Sequence, residues 1–150
     1  MLKSEYVFNL KNITIFKDID HEVFKRVFKA SKLIEFQPSD NVGSLLTEDD
    51  LLIILKGELT LSFMTKTVTH QVCTMEPGDT VSKVSLLFTN THEPVLSAAS
   101  NTVCLQIPLH LIKELTISHP LLKRNLLRSL QNKLIHSFET LTKQIEQSHE

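Results

Sequence analysis

The first regular pattern of apolar residues in the chain has the period of a helix. Apolar side chains recur every three or four positions over about residues 20–30, which predicts an amphipathic helix with one buried face. Asp18 or Asp20 is placed to cap its N-terminus. Pro38 and the polar residues after it then indicate a turn. The apolar positions of this helix are Ile19, Val23, Phe24, Val27 and Phe28.

The middle of the chain has the pattern of strands. Short apolar and β-branched runs cover residues 51–63, 67–75 and 95–107, and turn residues separate them at 56–57, 76–79 and 100–101. Short strands with tight connections are typical of antiparallel sandwiches and barrels. We therefore predict an α+β fold, in which an antiparallel β-barrel over about residues 33–108 is flanked by an N-terminal helix and C-terminal helices.

After the strands the spacing becomes helical again. Leu111, Ile112 and Leu115 indicate a short helix that ends near Ser118, and Pro120 suits the first turn of a longer one. The helical tail is predicted over about residues 109–148. With 150 residues and no linker in its pattern, the chain is expected to form a single domain over residues 1–150.

The longer helix carries a narrow apolar seam. From Leu134 onward its apolar residues are spaced by four, three and four, the repeat of a coiled coil. A stripe of this length predicts a homodimer, since it would be unusual on the surface of a monomer. The alternative is that the stripe folds back on the strands of its own chain. The predicted dimerisation residues are Leu127, Gln131, Leu134, Phe138, Leu141 and Ile145, with Gln131 as the polar residue that sets the register.

Composition and charge narrow the classes of function. The chain is 41% apolar and 22% charged, as in ordinary globular proteins. Its formal net charge of −1 gives no overall field for DNA or a membrane surface. The longest unbroken apolar run, Leu51 to Leu55, is far shorter than the ~20 residues that cross a bilayer. We therefore expect neither DNA nor a membrane as a partner.

The two cysteines, Cys73 and Cys104, lie within apolar runs and lack the spacing of metal ligands. They are predicted to be reduced core residues, and no metal or cofactor is expected. Because the cysteines are reduced and the N-terminal residues do not form an export signal, the cytoplasm is the expected location.

Several motifs occur in a recognisable order. Residues 53–61 read Ile-Ile-Leu-Lys-Gly-Glu-Leu-Thr-Leu, a strand–Gly–strand pattern. Phe-Lys-Asp-Ile at 16–19 and Phe-Gln-Pro at 36–38 precede it, and Met-Glu-Pro-Gly-Asp at 75–79 follows it. A last strand at 98–108 and the pair His119-Pro120 complete the series. In this order the motifs resemble the cyclic nucleotide-binding domain, the jelly-roll module of bacterial catabolite activator proteins and of cAMP-dependent kinase regulatory subunits.

The positions of the glycines and the spacing of the histidines help to separate that resemblance from its alternative. Gly57 and Gly78 fall on turns where the family uses glycine, whose freedom at positive φ suits such turns. The alternative is an unrelated β-barrel such as a cupin. A cupin metal site would need two histidines at i and i+2 with a nearby glutamate, and the seven histidines show no such pair.

In the family, a cassette after the Gly-Asp turn holds the ligand. A Glu accepts a hydrogen bond from the ribose, an Arg contacts the cyclic phosphate, and a short helix presents its N-terminus to that phosphate. The resemblance places Ser82 and Lys83 at the Gly-Glu pair and His92 at the Arg. The short helix is expected over about residues 82–87 with Ser82 as its cap. The candidate ligand-binding residues of this degenerate cassette are therefore Ser82, Lys83, Ser85 and His92.

These replacements weaken the expected recognition of a cyclic nucleotide. Lys83 has donors only, and His92 is mostly neutral near pH 7 and cannot form the bidentate fork of an arginine. Hydrogen bonds to charged groups contribute ~1.5–3 kcal/mol each, so affinity should fall by roughly two to four decades. We expect no binding of cAMP or cGMP in the family manner.

The resulting functional hypothesis is a non-catalytic regulatory or adaptor module that acts through protein–protein interaction with a partner protein. No nucleophile motif, phosphate-binding loop or pair of distinct carboxylates suggests an enzyme. Because the long helix is expected to extend to the end of the chain, no helix-turn-helix for DNA reading is expected after it. The alternative function is a small-molecule sensor that binds a cyclic nucleotide or another anionic ligand through a rewired pocket containing Lys83 and His92.

Overall fold

The computed structural model describes residues 3–64, 68–82 and 94–129. Its helices are α1 (Val7–Lys11), α2 (His21–Ala30), α3 (Leu109–Ser118) and α4, over residues 120–129. Short 3-10 helices at Lys3–Tyr6 and Thr14–Phe16 flank α1. The strands are β1 (Lys32–Phe36), β2 (Asp50–Lys56), β3 (Leu59–Met64), β4 (Thr69–Met75), β5 (Thr80–Ser82), β6 (Pro94–Ala98) and β7 (Thr102–Pro108).

The helix predicted over residues 20–30 is confirmed as α2. Asp20 is its cap, and its carboxylate accepts a hydrogen bond of 2.8 Å from the backbone N–H of Glu22. The sequence pattern does not predict α1 or the two 3-10 helices, because each is too short to show a periodic signal. Their buried side chains, such as Leu10 and Ile15, nevertheless belong to the core.

The strands form two antiparallel sheets, which confirms the α+β class. One sheet has four strands in the order β1-β7-β2-β5, and the other has three in the order β4-β3-β6. The predicted barrel needs correction, since the two sheets are not closed into a barrel. Outside the named strands, the described residues add one isolated bridge, between Asn41 and Ser97.

The sheets are open because their edge strands, β1 and β5 of one and β4 and β6 of the other, each pair with one described neighbour. Three tight connections join the two sheets. The turns at Gly57, at 76–79 and at 99–101 each carry the chain from one sheet to the other. The strand–Gly–strand motif is therefore a corner and not a hairpin, because β2 pairs with β5 and β7 while β3 pairs with β4 and β6. The corner at Gly57 has φ of 92°.

Alternation along the strands divides the core into two clusters. On β2, Leu51, Ile53 and Leu55 pack with the helices, whereas Leu52 and Ile54 face the space between the sheets. We call the second set the inter-sheet cluster. Its buried members are Phe36, Val42, Leu46, Leu52, Ile54, Leu59, Leu61, Cys73, Met75, Val81, Leu96, Ala98 and Cys104. Both cysteines are buried and free, as predicted.

The helices cover the outer face of the four-stranded sheet. α3 has the bounds that the sequence predicts, and Pro120 lies in the first turn of α4. Leu122 is fully buried, and the buried Asn125 donates hydrogen bonds to the carbonyl oxygens of Ile15, at 3.1 Å, and Lys17, at 3.0 Å. This fixes α4 against the N-terminal segment. No helix among the described residues is long and apolar enough to span a membrane.

Candidate ligand site

The turn at residues 76–79 fixes the start of β5, the strand that leads into the predicted cassette. The Asp79 carboxylate accepts a 2.7 Å hydrogen bond from the Glu76 N–H. The Gly78 N–H donates to the Ile54 carbonyl at 2.7 Å, and the Ile54 N–H donates to the Asp79 carbonyl at 3.0 Å. Gly78 has φ of 98°, so glycine is favoured at this corner. The turn is therefore anchored to the end of β2.

The register of β5 decides which of its side chains face the space between the sheets. Val81 lies opposite Leu52, and Ser82 lies opposite Leu51. Because directly opposed residues of antiparallel strands project to the same face, Val81 points into the inter-sheet cluster and Ser82 points toward the helices. Ser82 is buried at 8% exposure and is the last residue of β5.

The remaining cassette predictions lie outside the described residues. These are Lys83, Ser85 and His92, together with the short helix expected after Ser82. The structure therefore describes one of the four candidate ligand-binding residues, Ser82, and does not test whether the four lie together. Their role in binding stays a prediction. Of the predicted dimerisation residues it describes Leu127, which is 55% exposed on α4, while Gln131, Leu134, Phe138, Leu141 and Ile145 also lie outside.

The inter-sheet cluster has only apolar and cysteine side chains in its buried membership. Among the described residues, the buried polar side chains are Ser31, Thr80, Ser82, Thr102 and Asn125, and none of them is ionisable. The buried side chains of the described strands thus offer shape and apolar contact to a ligand but no charge. Burial raises the pKa of the Cys104 thiol to about 12, so this group stays neutral as well. Within the described ranges, no cluster of His, Cys, Asp or Glu could hold a metal ion.

Two features near this site were not predicted from the sequence. The buried hydroxyl of Thr80 has no hydrogen-bond partner among the described residues. A groove of about 400 Å³ lies between α1 and the turn at Gly78, and its polar lining comes from Asn9, Asn12 and Thr14. The groove could not be found from the sequence because α1 itself shows no pattern. The Thr80 hydroxyl could not be found because its surroundings depend on the pairing of β5 with β2.

The fold can be compared with solved structures. CooA from Carboxydothermus hydrogenoformans superposes with a TM-score of 0.67 at 14% identity, over 91% of this chain and 87% of that one. The regulatory subunit of a cAMP-independent protein kinase A from Trypanosoma brucei gives 0.66 at 17% identity, over 93% and 51% of the two chains. The catabolite activator protein of Thermus thermophilus gives 0.62 at 16%, over 86% and 62%.

The fold is that of a cyclic nucleotide-binding domain. The predicted resemblance is confirmed at this level. The chain spans about half the length of the Trypanosoma brucei regulatory subunit. No protein-family model and no curated protein sequence matches the chain. A cyclic nucleotide-binding fold at this identity establishes the architecture, and the function has to be argued from the residues.

Proposed function

We propose that this protein is a non-catalytic regulatory or adaptor module that uses the cyclic nucleotide-binding fold in protein–protein interaction in the cytoplasm. It does not bind cAMP or cGMP in the manner associated with the fold. The observation that carries the proposal is that the buried polar side chains of the described residues, Ser31, Thr80, Ser82, Thr102 and Asn125, are all uncharged. In the cassette that the family resemblance predicts, the charged contacts to a nucleotide would come from the segment between β5 and β6.

The sequence of that segment supports the same conclusion. The family resemblance aligns Lys83 with a ribose-binding Glu and His92 with a phosphate-binding Arg, and neither replacement restores the lost hydrogen bonds. The Trypanosoma brucei subunit that superposes on this chain is described as cAMP-independent. At least one regulatory subunit with this fold is thus described as belonging to a cAMP-independent kinase.

Calorimetry with cAMP and cGMP tests the proposal. We expect no saturable binding tighter than about 100 μM, because a micromolar site that loses two charge-assisted contacts weakens by roughly two to four decades. The double variant Lys83→Glu with His92→Arg is the matched gain-of-function control and should acquire measurable affinity. Low-micromolar binding of either nucleotide to the wild-type protein would refute the proposal.

The alternative function is a sensor for another anionic small molecule. Its basis is the pair Lys83 and His92, which could carry positive charge toward a phosphate in place of the family's Arg. A panel of cyclic mono- and dinucleotides in the same calorimeter separates the two functions. If the protein is a sensor, at least one nucleotide of the panel should bind, and its binding should be lost in Lys83→Ala. If the protein is an adaptor, no nucleotide of the panel should bind.

We further propose that the module acts as a homodimer through the C-terminal helix. Leu127 faces away from the buried Leu122 and Asn125 and is exposed where the predicted seam begins. Light scattering should give a mass near twice the 17.1 kDa of the chain. Leu134→Glu with Leu141→Glu should return the protein to monomer, while Ile117→Glu, at an 86% exposed position of α3, should not. A wild-type mass near 17.1 kDa would show that the seam folds back instead.

A further inference from the structure

One face of α4 combines exposed positive charge with an exposed leucine. Leu122 and Asn125 fix the opposite face against the core, and the two hydrogen bonds of Asn125 set the rotation of the helix. Three cations and one apolar side chain therefore project outward along the helix. This basic stripe consists of Lys123, Arg124, Leu127 and Arg128, all of them exposed.

The charges of the basic stripe are not balanced within the described part of the chain. Residues 120–129 contain three cations and no carboxylate. The ion pair that the structure shows among its described residues joins Arg26 and Glu114 at 3.5 Å, away from the stripe. No hydrogen bond or ion pair between described residues involves the side chains of the three cations. The three charged side chains are therefore available for contact with a partner. Leu127, which is 55% accessible, is available as well.

The size and surroundings of the stripe indicate the chemistry of that partner. At 1.5 Å per residue, Arg124 and Arg128 are separated by about 6 Å along the helix, which matches two carboxylates four residues apart on a facing helix. Leu127 lies between the cations, so the partner is expected to have an apolar side chain between its carboxylates. Another part of the chain is acidic, since residues 37–58 contain five carboxylates and one lysine. That distribution disfavours an extended polyanion such as DNA.

We infer that the basic stripe docks an acidic, amphipathic helical segment of a partner protein. The inference rests on the proposed adaptor function and names the surface that it uses. The two arginines supply planar, bidentate donors for carboxylates, and Leu127 supplies the apolar contact at the centre of the patch.

Docking at the stripe is coupled to the proposed dimer. Arg124 precedes Leu127 by three residues and so lies one seam position earlier in the heptad register. When two copies pair from Leu127 onward, their Arg124 side chains approach each other, and like charges so placed repel. A paired second copy would also cover Leu127, the apolar contact that the docked segment needs. Partner binding at the stripe therefore competes with pairing of two copies at this end of the helix.

The test uses the full chain and a defined probe, a fluorescent alanine-based helical peptide with Glu at i and i+4 around a central Leu. Fluorescence anisotropy at low salt should show saturable binding that weakens as salt is added. Arg124→Gln with Arg128→Gln should weaken it about tenfold, as expected for the loss of two exposed ion pairs. The matched control, Lys25→Gln with Lys29→Gln, removes the same charge from the exposed face of α2 and should change affinity less than twofold.

Equal binding of the peptide to all three proteins, or no binding to wild type, would overturn the inference. So would tighter binding of a DNA duplex or of vesicles rich in anionic lipid that the Arg124 and Arg128 replacements abolish, since either would assign the stripe to a different class of partner. Light scattering on the same samples separates the two proposals. A chain that remains monomeric refutes the dimer, while its affinity for the peptide still tests the stripe.

Discussion

Gly57 lies so close to Asn101 that a Cβ atom at residue 57 would overlap the Asn101 carbonyl oxygen. Such an atom would also lie 2.7 Å from the Cα of Thr102. The two residues belong to different corners, one between β2 and β3 and the other between β6 and β7. These corners are further joined by Thr102, whose hydroxyl accepts from the Glu58 N–H at 3.2 Å. Contact between the corners holds the two sheets together at this edge.

Replacement of the three glycines by alanine should give three distinct losses of stability. Gly57→Ala combines positive φ with a backbone clash and should cost about 3 kcal/mol or more. Gly78→Ala meets open space and suffers only the strain of φ at 98°, about 1–2 kcal/mol. Gly43→Ala has neither defect and should stay within about 1 kcal/mol of wild type. Urea unfolding gives the order, and equal losses at 57 and 78 would contradict the close approach.

The same substitution at two buried threonines should act in opposite directions. Thr80→Val removes a buried hydroxyl without a described partner and should stabilise the protein by about 1 kcal/mol. Thr102→Val removes a hydroxyl that accepts from Glu58 and donates to the Ser100 carbonyl at 2.9 Å, so it should destabilise by about 1–3 kcal/mol. Thermal unfolding of the two variants makes the comparison. Destabilisation by both would mean that the Thr80 hydroxyl has a partner.

The bond between α4 and the N-terminal segment can be tested at Asn125. Asn125→Leu keeps the approximate volume but leaves the carbonyls of Ile15 and Lys17 without their donor, which should cost about 2–4 kcal/mol. Hydrogen exchange of residues 15–19 should become faster in this variant. Thr116→Ala, which also removes a side-chain bond to a backbone carbonyl, is the control and should cost less than about 1 kcal/mol because that bond is exposed. Unchanged exchange would show that α4 does not hold this segment.

Stability should fall at alkaline pH because of Cys104. Burial raises the pKa of this thiol from 9.0 to about 12 in the folded state. The neutral thiol therefore contributes stability that is fully present below about pH 9 and is lost as the pH rises toward 12. The free energy of unfolding should decline by up to about 1.4 kcal/mol per pH unit over that window. Urea unfolding at several pH values should show a smaller slope for Cys104→Ala, and an identical slope would contradict the assignment.

Local signals explain what could be predicted from the sequence. The cap at Asp20 and the bounds of α3 depend on residues within a turn or two of each helix, so the pattern alone suffices for them. Membership of a sheet depends on pairing between distant residues. The Gly57 motif therefore has the same sequence appearance as a hairpin although its strands pair with other partners.

The candidate site shows the same division. Ser82 can be placed near the cassette by its distance from Gly78 along the chain. The face of its side chain is fixed only by the register of β5 on β2, in which Ser82 lies opposite Leu51. A shift of one residue would reverse that face, and nothing in a three-residue strand specifies the register locally. The basic stripe likewise cannot be recognised from the net charge of −1, because positive and negative residues cluster in different parts of the chain and cancel in the sum.

The position of β7 has a consequence for how the chain acquires its fold during synthesis. β7 lies between β1 and β2, and residue 32 pairs with residue 106. While a ribosome makes the protein, the first two strands emerge long before the strand that joins them. Their edges remain open until residue 108 has left the exit tunnel, and such edges are prone to aggregation. A nascent chain of this protein therefore carries unpaired strand edges until translation has passed β7.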